Sequence, residues 1–279
     1  MRQPFGSSIR PTLEGSPLGS PQNVASASRS VREMFESVAP RYDFLNHFLS
    51  AGMDIAWRRA AARALREALG TTGSTALDVC CGTGDLALEL QRVSRGRVIG
   101  ADFCQPMLRR AERKLARRTS RRWRDITSFM GADALSLPFR DQTFDVIASA
   151  FGFRNLANYE LGLCEMRRVL KPGGVIAILE FSRVRWPIFG RLFGLYFAHV
   201  LPLLGTWLSG VRGPYQYLHD SVSGFPDQET LAARMRTAGF SDVSFRNLMG
   251  GVAALHTGQK CRIDSEASRP ELAFYPAGN

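Results

Sequence analysis

The chain has 279 residues, of which 45% are apolar, and a formal net charge of +11. This length and apolar content predict one α/β domain with additions and a substantial core, which excludes a chain that is disordered throughout. The five cysteines form no CxxC pair and no His/Cys group with zinc spacing, so they exclude a zinc-finger module and favour free thiols in a reducing cytoplasm.

Both ends of the chain are predicted to be tails. Residues 1–30 are rich in Ser, Pro, Gly and Arg, and Glu14 is their only acid. Such a segment cannot bury enough apolar surface to become ordered, and it lacks the apolar core of a secretory signal. A disordered tail and an organelle transit peptide both stay open. Residues 261–279 are predicted to be a second tail.

A helical cap is predicted over residues 31–70, before the first strand. Its helices are expected near 31–38 and 54–69, and Tyr42 and Asp43 lie between them. A segment in this position either covers a ligand cleft or only caps one face of the sheet.

Strands and helices alternate in the middle of the chain, which predicts a parallel sheet with right-handed crossovers. Lys171-Pro172-Gly173-Gly174 is typical of a helix stop. The Gly250-Gly251 turn joins two final strands, which should therefore be antiparallel. The prediction is an α/β fold with a seven-stranded, mostly parallel sheet. Its strands are expected near 76–80, 97–102, 127–131, 145–150, 175–180, 242–248 and 252–257, and its helices near 85–93, 106–118, 159–170 and 227–238.

A basic block extends from Arg109 to Arg124 and contains one acid, Glu112. Met107, Ala111 and Leu115 form an apolar stripe, which places the arginines on the outer face of a helix. This face is either simply solvated or attracted to an anionic membrane surface. No nucleic-acid partner is predicted, because the block lacks a series of interleaved aromatic residues for base stacking.

The first βα turn is the strongest sign of a ligand site. A buried strand containing Asp78 leads into Gly82-Thr83-Gly84, and the next strand ends in Asp102. Glycine lets a backbone approach a ligand closely, and a carboxylate at the tip of the second strand can accept both ribose hydroxyls. This pairing predicts a nucleoside site. With Ala87, the turn also fits the dinucleotide pattern, so a nicotinamide dehydrogenase is the competing interpretation.

Three further features favour S-adenosylmethionine. The Gly131–Ala134 segment closes the third strand, where Asp133 could accept the adenine amino group. Leu137-Pro138-Phe139 and the 165–174 segment follow. In this order, residues 76–180 resemble class I methyltransferases, which have a Rossmann-like fold. The resemblance implies no metal and a set of cofactor-binding residues: Asp78, Gly82, Thr83, Gly84, Asp102, Asp133, Ala134 and Ala150.

Further blocks narrow the resemblance. They are Tyr42–Asn46, Phe151–Asn155, Arg168–Gly174 with Leu179–Ser182, Phe225–Gln228 and Gly251–His256. With these blocks, residues 31–260 resemble the ubiquinone/menaquinone C-methyltransferase family. The chain departs from the family at Asp54, where His is usual, and at Ala150, where Ser is common.

The resemblance implies methyl transfer from S-adenosylmethionine to a ring carbon of a polyprenylated quinol. The acceptor is demethylmenaquinol or the benzoquinol of the ubiquinone pathway. A phenol titrates near a pH of about 10, so the enzyme must stabilise the oxyanion that makes the ring carbon nucleophilic. Arg154 is the candidate for this role, and Asn155 could orient the hydroxyl. Tyr42 and Asp43 are candidate lid contacts. A structural salt bridge for Arg154 and simple packing for Tyr42 are the alternatives.

An apolar segment from Trp186 to Val211 lies within the predicted substrate cap, residues 183–225. It is long enough to span a bilayer, but Pro202 and its position inside the domain argue against spanning. It is expected to pack on the sheet, to receive the isoprenoid tail, or to do both. The predicted enzyme is cytoplasmic with peripheral membrane contact, and a homodimer stays open. The alternatives are a methyltransferase for another acceptor and a noncatalytic cofactor-binding subunit.

Overall fold

The computed structural model describes residues 29, 31–36, 39, 50, 52–118, 121–184, 217 and 220–262. Residues 31–36 are helical. The elements that follow are α1 (Met53–Ala64), α2 (Arg66–Leu69), β1 (Thr75–Val79), α3 (Asp85–Val93), β2 (Arg97–Asp102), α4 (Gln105–Ala116), α5 (Arg121–Ile126), β3 (Thr127–Gly131), β4 (Phe144–Ala150), α6 (Tyr159–Val169), β5 (Leu170–Phe181), α7 (Gln228–Thr237), β6 (Phe240–Leu248) and β7 (Ala253–Lys260). Short 3-10 turns cover Phe153–Asn155 and Met249–Gly251.

The seven strands form one sheet in the order β3-β2-β1-β4-β5-β7-β6. The pairs from β3 to β5 are parallel, and β7 is antiparallel to both β5 and β6. The predicted α/β fold, with its antiparallel last strand, is therefore confirmed. The connections reverse direction between β1 and β4, and ligands of open α/β sheets bind at such a reversal, beyond the carboxyl ends of the strands.

Helices cover both faces of the sheet. Adjacent residues of a strand point to opposite sides, so each central strand contributes to two cores. Leu77 and Ile147 pack on one side in a core with residues of α6 and α7. Ala76 and Val146 pack on the other side with residues of α1, α2 and α3. Side-chain caps start two of these helices: Asn158 accepts from Leu161 N at 2.9 Å, and Asp227 accepts from Thr230 N at 2.9 Å.

The Lys171–Gly174 segment stops α6 at Val169, as predicted, but it lies inside β5 rather than before it. Phe144 pairs with Leu170, and Val146 pairs with Val175, so β5 carries extra residues as a bulge. Gly173 takes a φ of 76° there, which a side chain would disfavour. The strand therefore begins five residues earlier than the apolar run at Val175 indicated.

Helix α5 was not predicted, because its sequence is mostly basic and has no apolar periodicity. Trp123 stabilises α5 through contacts with two arginine side chains. Its ring lies 5.9 Å from the guanidinium carbon of Arg92 and 5.6 Å from that of Arg118.

Several predictions fall outside the described residues, among them Tyr42, Asp43, the Trp186–Val211 segment and most of both tails. The limits of the predicted domains stay predictions. Of the helices that the structure describes, none has the length and apolar character needed to cross a membrane.

Candidate functional site

A cavity lies at the carboxyl ends of β1, β2 and β4, where the connections reverse. Its empty space, including the part that is open to solvent, is about 640 Å³. The described residues that form its wall are Phe35, Arg58, Asp78, Cys80, Cys81, Gly82, Thr83, Asp85, Leu86, Asp102, Phe103, Cys104, Met107, Ala150, Phe151, Gly152, Asn155 and Leu156.

The backbone around this cavity is strained at the ends of two neighbouring strands. Cys80 follows β1 with a φ of 57°, and Phe151 follows β4 with a φ of 59°. Left-handed backbone is costly for such residues and occurs often at functional sites. Gly152 is required here, because a Cβ would lie 2.5 Å from the Cβ of Cys80. The sequence gives no sign of this strain, since neither Cys nor Phe favours a positive φ.

The two glycines of the first turn have different roles. Gly82 has a φ of 52° and lines the cavity, and a Cβ there would have no neighbour within 4 Å. Its open side leaves room for a ligand beside the backbone. Gly84 has a φ of 81°, and a Cβ there would lie 2.7 Å from the Phe129 ring and 2.9 Å from Ala111. Gly84 thus allows close packing of Phe129 and Ala111, and its predicted contact with the cofactor stays a prediction.

Asp102 lies at the cavity beside the glycine turn, as predicted. One carboxylate oxygen accepts from Gly82 N at 2.8 Å, and the other accepts from Cys104 N at 2.8 Å. Burial raises the pKa of Asp102, while these backbone N–H groups oppose the shift. A carboxylate has about four acceptor positions, so two bonds to the protein are compatible with further bonds to ribose hydroxyls.

Asp78 lies in the same wall with a different environment. It is 1% exposed, and neither carboxylate oxygen has a hydrogen-bond partner within the described residues. Burial raises its pKa well above the usual value, and the nearby Ala87 N–H and Arg58 charge oppose only part of this shift. A buried carboxylate without a partner is costly. An ammonium group in the cavity would satisfy it, so the site fits the amino-acid end of S-adenosylmethionine.

Two more predicted cofactor residues line the cavity. The Thr83 hydroxyl accepts from Lys114 Nζ at 2.8 Å, and the same ammonium pairs with Asp85 at 2.6 Å. This ion pair fixes the start of α3. Ala150 lies at the end of β4 and lines the cavity.

Asp133 and Ala134 follow β3 at the same edge of the sheet, but the described wall of the cavity does not include them. Asp133 is exposed, and its Oδ1 accepts from Leu135 N at 2.9 Å. The backbone before them is tied to Asp102, whose carbonyl accepts from Ala132 N at 3.0 Å. Their predicted contact with adenine stays a prediction.

Arg154 is buried and forms the ion pair that was the structural alternative. Its Nη1 lies 2.9 Å from Glu180 Oε2 and also donates to the Phe151 carbonyl. The second oxygen of Glu180 accepts from Arg154 N at 3.1 Å. Glu180, at the end of β5, therefore fixes the Phe153–Asn155 turn. Arg154 is absent from the described cavity wall, so a role at the oxyanion stays a prediction.

Asn155 lines the cavity, as the prediction requires. Its Oδ1 accepts from the Tyr217 hydroxyl at 2.8 Å. Tyr217 in turn contacts Phe35 edge-to-face, with 6.5 Å between the ring centroids. The sequence assigned no role to Tyr217 or Phe35, because only the folded chain brings residues so far apart to one site.

Arg58 is a further residue that the sequence did not single out. It is 7% exposed, lines the cavity and pairs with Asp54 one helical turn away. Its guanidinium carbon lies 5.4 Å from the centroid of the Phe151 ring. The four-residue spacing of an acid and a base was visible in the sequence. The burial of Arg58 at a ligand cavity could not be seen in the sequence.

The thiols of Cys80 and Cys81 are not equipped for nucleophilic chemistry. Burial raises the pKa of both well above the usual value, and the surrounding carboxylates act in the same direction. Both thiols therefore stay protonated and serve as small apolar groups.

Comparison with other proteins identifies close relatives. The ubiE/COQ5 methyltransferase family matches residues 23–260. The demethylmenaquinone methyltransferase of Deinococcus radiodurans is 46% identical over 246 residues, which cover 88% of this chain and 97% of the relative. That of Thermus thermophilus is 48% identical over 228 residues, covering 81% and 100%. The ubiquinone/menaquinone biosynthesis C-methyltransferase UbiE of Geobacter sulfurreducens is 43% identical over 232 residues, covering 82% and 88%.

Solved structures share the fold at low identity. The [4+2]-cyclase SpnF has a TM-score of 0.59 and 18% identity, covering 90% of this chain and 99% of its own. A SAM-dependent methyltransferase from Aquifex aeolicus has a TM-score of 0.51 and 19% identity, covering 71% and 88%. Since one neighbour is a cyclase, the fold alone does not define the reaction.

The family match and the close relatives do define it. They confirm the predicted enzyme class, a C-methyltransferase of quinone biosynthesis that uses S-adenosylmethionine. The chain belongs to the ubiE/COQ5 methyltransferase family.

Proposed function

We propose that this enzyme methylates demethylmenaquinol on a ring carbon to give menaquinol. The observation that carries the proposal is a single cavity whose wall contains both Asp102, the predicted ribose ligand, and Asn155, the predicted acceptor-side residue. Relatives named for the menaquinone step favour this acceptor over a benzoquinol.

When bound, S-adenosylmethionine supplies a methyl group activated by its sulfonium. The protein binds the donor through Asp102 and Asp78 and holds the acceptor ring in line with it, which removes much of the entropic barrier. Phe35, Met107 and Phe151 line the cavity and exclude water from the reacting atoms. A dry site strengthens each polar contact to the phenolate.

Asn155 contacts the ring hydroxyl in this proposal, since it is in the wall of the cavity and the Tyr217 hydroxyl fixes its amide. Arg154 stabilises the developing oxyanion from the adjacent position, where its pairing with Glu180 holds the turn in place. Tyr42 and Asp43, outside the described residues, are proposed lid contacts.

The isoprenoid tail is proposed to follow the apolar Trp186–Val211 segment. Described residues on both sides of this segment contact residues of the cavity wall. Before it, Phe181 packs against Phe151 with 4.9 Å between the ring centroids. After it, Tyr217 binds Asn155. The chain that joins these two contacts is therefore proposed to cover the acceptor.

Membrane contact is proposed at this same edge of the sheet, not through the basic block. Helix α4 begins at the cavity, where Met107 lies in the wall, and runs back along the sheet. Helix α5 directly precedes Thr127, the first residue of β3, so it lies at the amino ends of the strands, opposite to the cavity. Arg113, Arg117 and Arg124 therefore lie away from the proposed acceptor entrance. Vesicles containing anionic lipid should bind an Arg113→Glu/Arg117→Glu variant almost as well as the wild type, and a Leu204→Glu/Trp207→Glu variant less well.

The activity is tested with the purified full-length chain and methyl-labelled S-adenosylmethionine. Demethylmenaquinol and the benzoquinol precursor are offered separately in detergent micelles. We expect label on the naphthoquinol ring carbon, identified by mass spectrometry. Labelling of only the benzoquinol would refute the menaquinone assignment. Donor binding with no labelling of either quinol would refute quinol methylation.

A further inference from the structure

We propose that Gln228, held in place by His256, is a positioning residue for the acceptor side of the cavity, because it completes a ring of contacts around the Phe153–Asn155 turn. This role rests on the proposed function, which places the acceptor beside the turn. Both residues belong to sequence blocks, Phe225–Gln228 and Gly251–His256, that contribute only Gly251–His256 and Phe225–Gln228 contacts outside the described wall of the cavity.

Gln228 is a buried point at which three segments of the chain meet. It is the first residue of α7 and is 1% exposed. Its Nε2 donates to the Arg183 carbonyl, just after β5, at 3.0 Å and to Asn247 Oδ1, in β6, at 3.0 Å. Both N–H bonds of the amide are therefore used. Because Arg183 and Gln228 are 45 residues apart, this amide joins the start of the predicted substrate cap to the chain that follows the cap.

His256 holds the backbone of Gln228. Its ring belongs to β7, is 2% exposed, and has its Nε2 2.9 Å from the Gln228 carbonyl oxygen. A carbonyl oxygen only accepts, so Nε2 carries the proton and donates it. Phe245 packs beside this ring, with 5.4 Å between the ring centroids. The side chain and the carbonyl of Gln228 are therefore fixed by different strands, β6 and β7.

The residues just before Gln228 contact the turn from one side. Phe225 is 3% exposed, and its ring centroid lies 6.3 Å from that of Phe153 and 5.6 Å from that of Tyr159. The Tyr159 hydroxyl in turn donates to the Arg154 carbonyl at 3.1 Å. A displacement of Gln228 would therefore move Phe225 and weaken the support of the Arg154 backbone.

The end of β5 contacts the same turn from the other side. Glu180 pairs with Arg154, and the centroid of the Phe181 ring lies 5.4 Å from the guanidinium carbon of Arg154. The hydrogen bond between Gln228 and Arg183 links these two supports, so the contacts around the turn form a closed ring. Methyl transfer needs this precision, because a displacement of about 1 Å can cost roughly 100-fold in rate.

Gln228→Leu tests this role, because it removes both donors and keeps a buried side chain. We expect kcat/KM for demethylmenaquinol to fall roughly 10-fold, while the Kd for S-adenosylmethionine stays within about 2-fold. Steady-state kinetics at saturating donor and calorimetry measure these quantities. Hydrogen exchange, followed by mass spectrometry, should be faster at the amides of Arg154, Asn155 and Leu156, whose N–H groups are bonded in the native turn.

Gln91→Leu is the matched control. Gln91 is 2% exposed in α3, and its Oε1 accepts from the hydroxyl of Thr127, the first residue of β3, at 2.8 Å. This variant removes an equally buried amide, so it should lower the thermal stability without changing kcat/KM for the quinol or exchange in the turn. His256→Gln keeps an N–H donor for the Gln228 carbonyl and should stay within about 3-fold of the wild type, whereas His256→Leu should lose more.

Unchanged exchange of the turn in Gln228→Leu would overturn this role, and so would an unchanged kcat/KM or an equal loss in Gln91→Leu. If Gln228→Leu does not fold, the two His256 variants give the same comparison. Hydrogen exchange does not depend on the acceptor. A wild-type enzyme that methylates neither quinol would refute the proposed function, while faster exchange of the turn in Gln228→Leu, but not in Gln91→Leu, would still support the positioning of the turn.

Discussion

Asp78 and Asp102 lie in neighbouring strands of the sheet, line the same cavity and are both buried, yet their hydrogen bonding differs. Asp102 accepts two backbone hydrogen bonds, whereas Asp78 has no partner among the described residues. Burial raises the pKa of both. The difference indicates that the fold satisfies one acid by itself and leaves the other for the ligand, so stability is sacrificed at only one of the two positions.

A third buried acid, Glu180, extends the comparison, because its charge is fully paired with Arg154. Arg154→Ala leaves this carboxylate buried without its cation and should lower the free energy of unfolding by about 3–5 kcal/mol. Urea denaturation measures this change.

Turnover of the same variant should fall, with donor affinity nearly intact if the protein is folded. The double variant Arg154→Ala/Glu180→Gln removes both charges and should recover much of the stability. If turnover recovers along with stability, Arg154 has a structural role only, and its proposed role at the oxyanion is wrong.

Asp102→Ala should weaken donor binding by roughly 10- to 100-fold, because charge-assisted hydrogen bonds contribute about 1.5–3 kcal/mol. It should also lower stability without ligand, since the N–H groups of Gly82 and Cys104 lose their acceptor. Calorimetry and thermal denaturation measure the two effects. Unchanged donor affinity would contradict the placement of the ribose at this acid.

Asp78→Asn should have the opposite effect on the free protein. It removes a buried charge that has no partner among the described residues, so the unliganded enzyme should gain about 1–3 kcal/mol of stability, while donor binding weakens. Thermal denaturation with and without S-adenosylmethionine measures both. A less stable unliganded variant would show that the Asp78 carboxylate is already satisfied.

The pH dependence gives an independent measure. The folded protein retains the Asp78 proton to a higher pH than the unfolded chain, because the folded pKa is raised. Stability therefore falls as the pH rises from the unfolded pKa to the folded one, and the loss persists above it. Affinity for the cationic donor should rise over the approach to the folded pKa. In Asp78→Asn both dependences should be reduced.

Tyr217→Phe should have the smallest effect. It removes one hydrogen bond to Asn155, which contributes about 0.5–1.5 kcal/mol, so turnover should fall by a few-fold. Donor affinity should not change, because neither Asp78 nor Asp102 is touched. Steady-state kinetics at saturating donor measure the effect. A loss in donor affinity would contradict the proposed position of Tyr217 on the acceptor side of the cavity.

The sequence predicted the parts of the molecule that depend on local pattern. Apolar runs and turn residues predicted the positions of the strands, the mostly parallel sheet and its antiparallel end, and the glycine turn with Asp102 predicted the donor side of the cavity. The pattern could not show that Asp78 lacks a hydrogen-bond partner among the described residues, since that depends on what packs around it. It also could not show Arg58, whose helix reaches the cavity only through tertiary packing. Arg154 shows the remaining limit, because the residue was found but its pairing with Glu180 was not decided.

The close contact between Gly152 and Cys80 joins the loop after β1, on the donor side of the cavity, to the loop after β4, on the proposed acceptor side. With 2.5 Å between the Cys80 Cβ and the site of an added methyl, neither loop can be enlarged unless the other retreats. Variation in acceptor choice is therefore expected at other described residues near the acceptor side, such as Phe35 and Tyr217. Attempts to redesign this enzyme for another aromatic acceptor should begin at those residues and keep Cys80 and Gly152 unchanged.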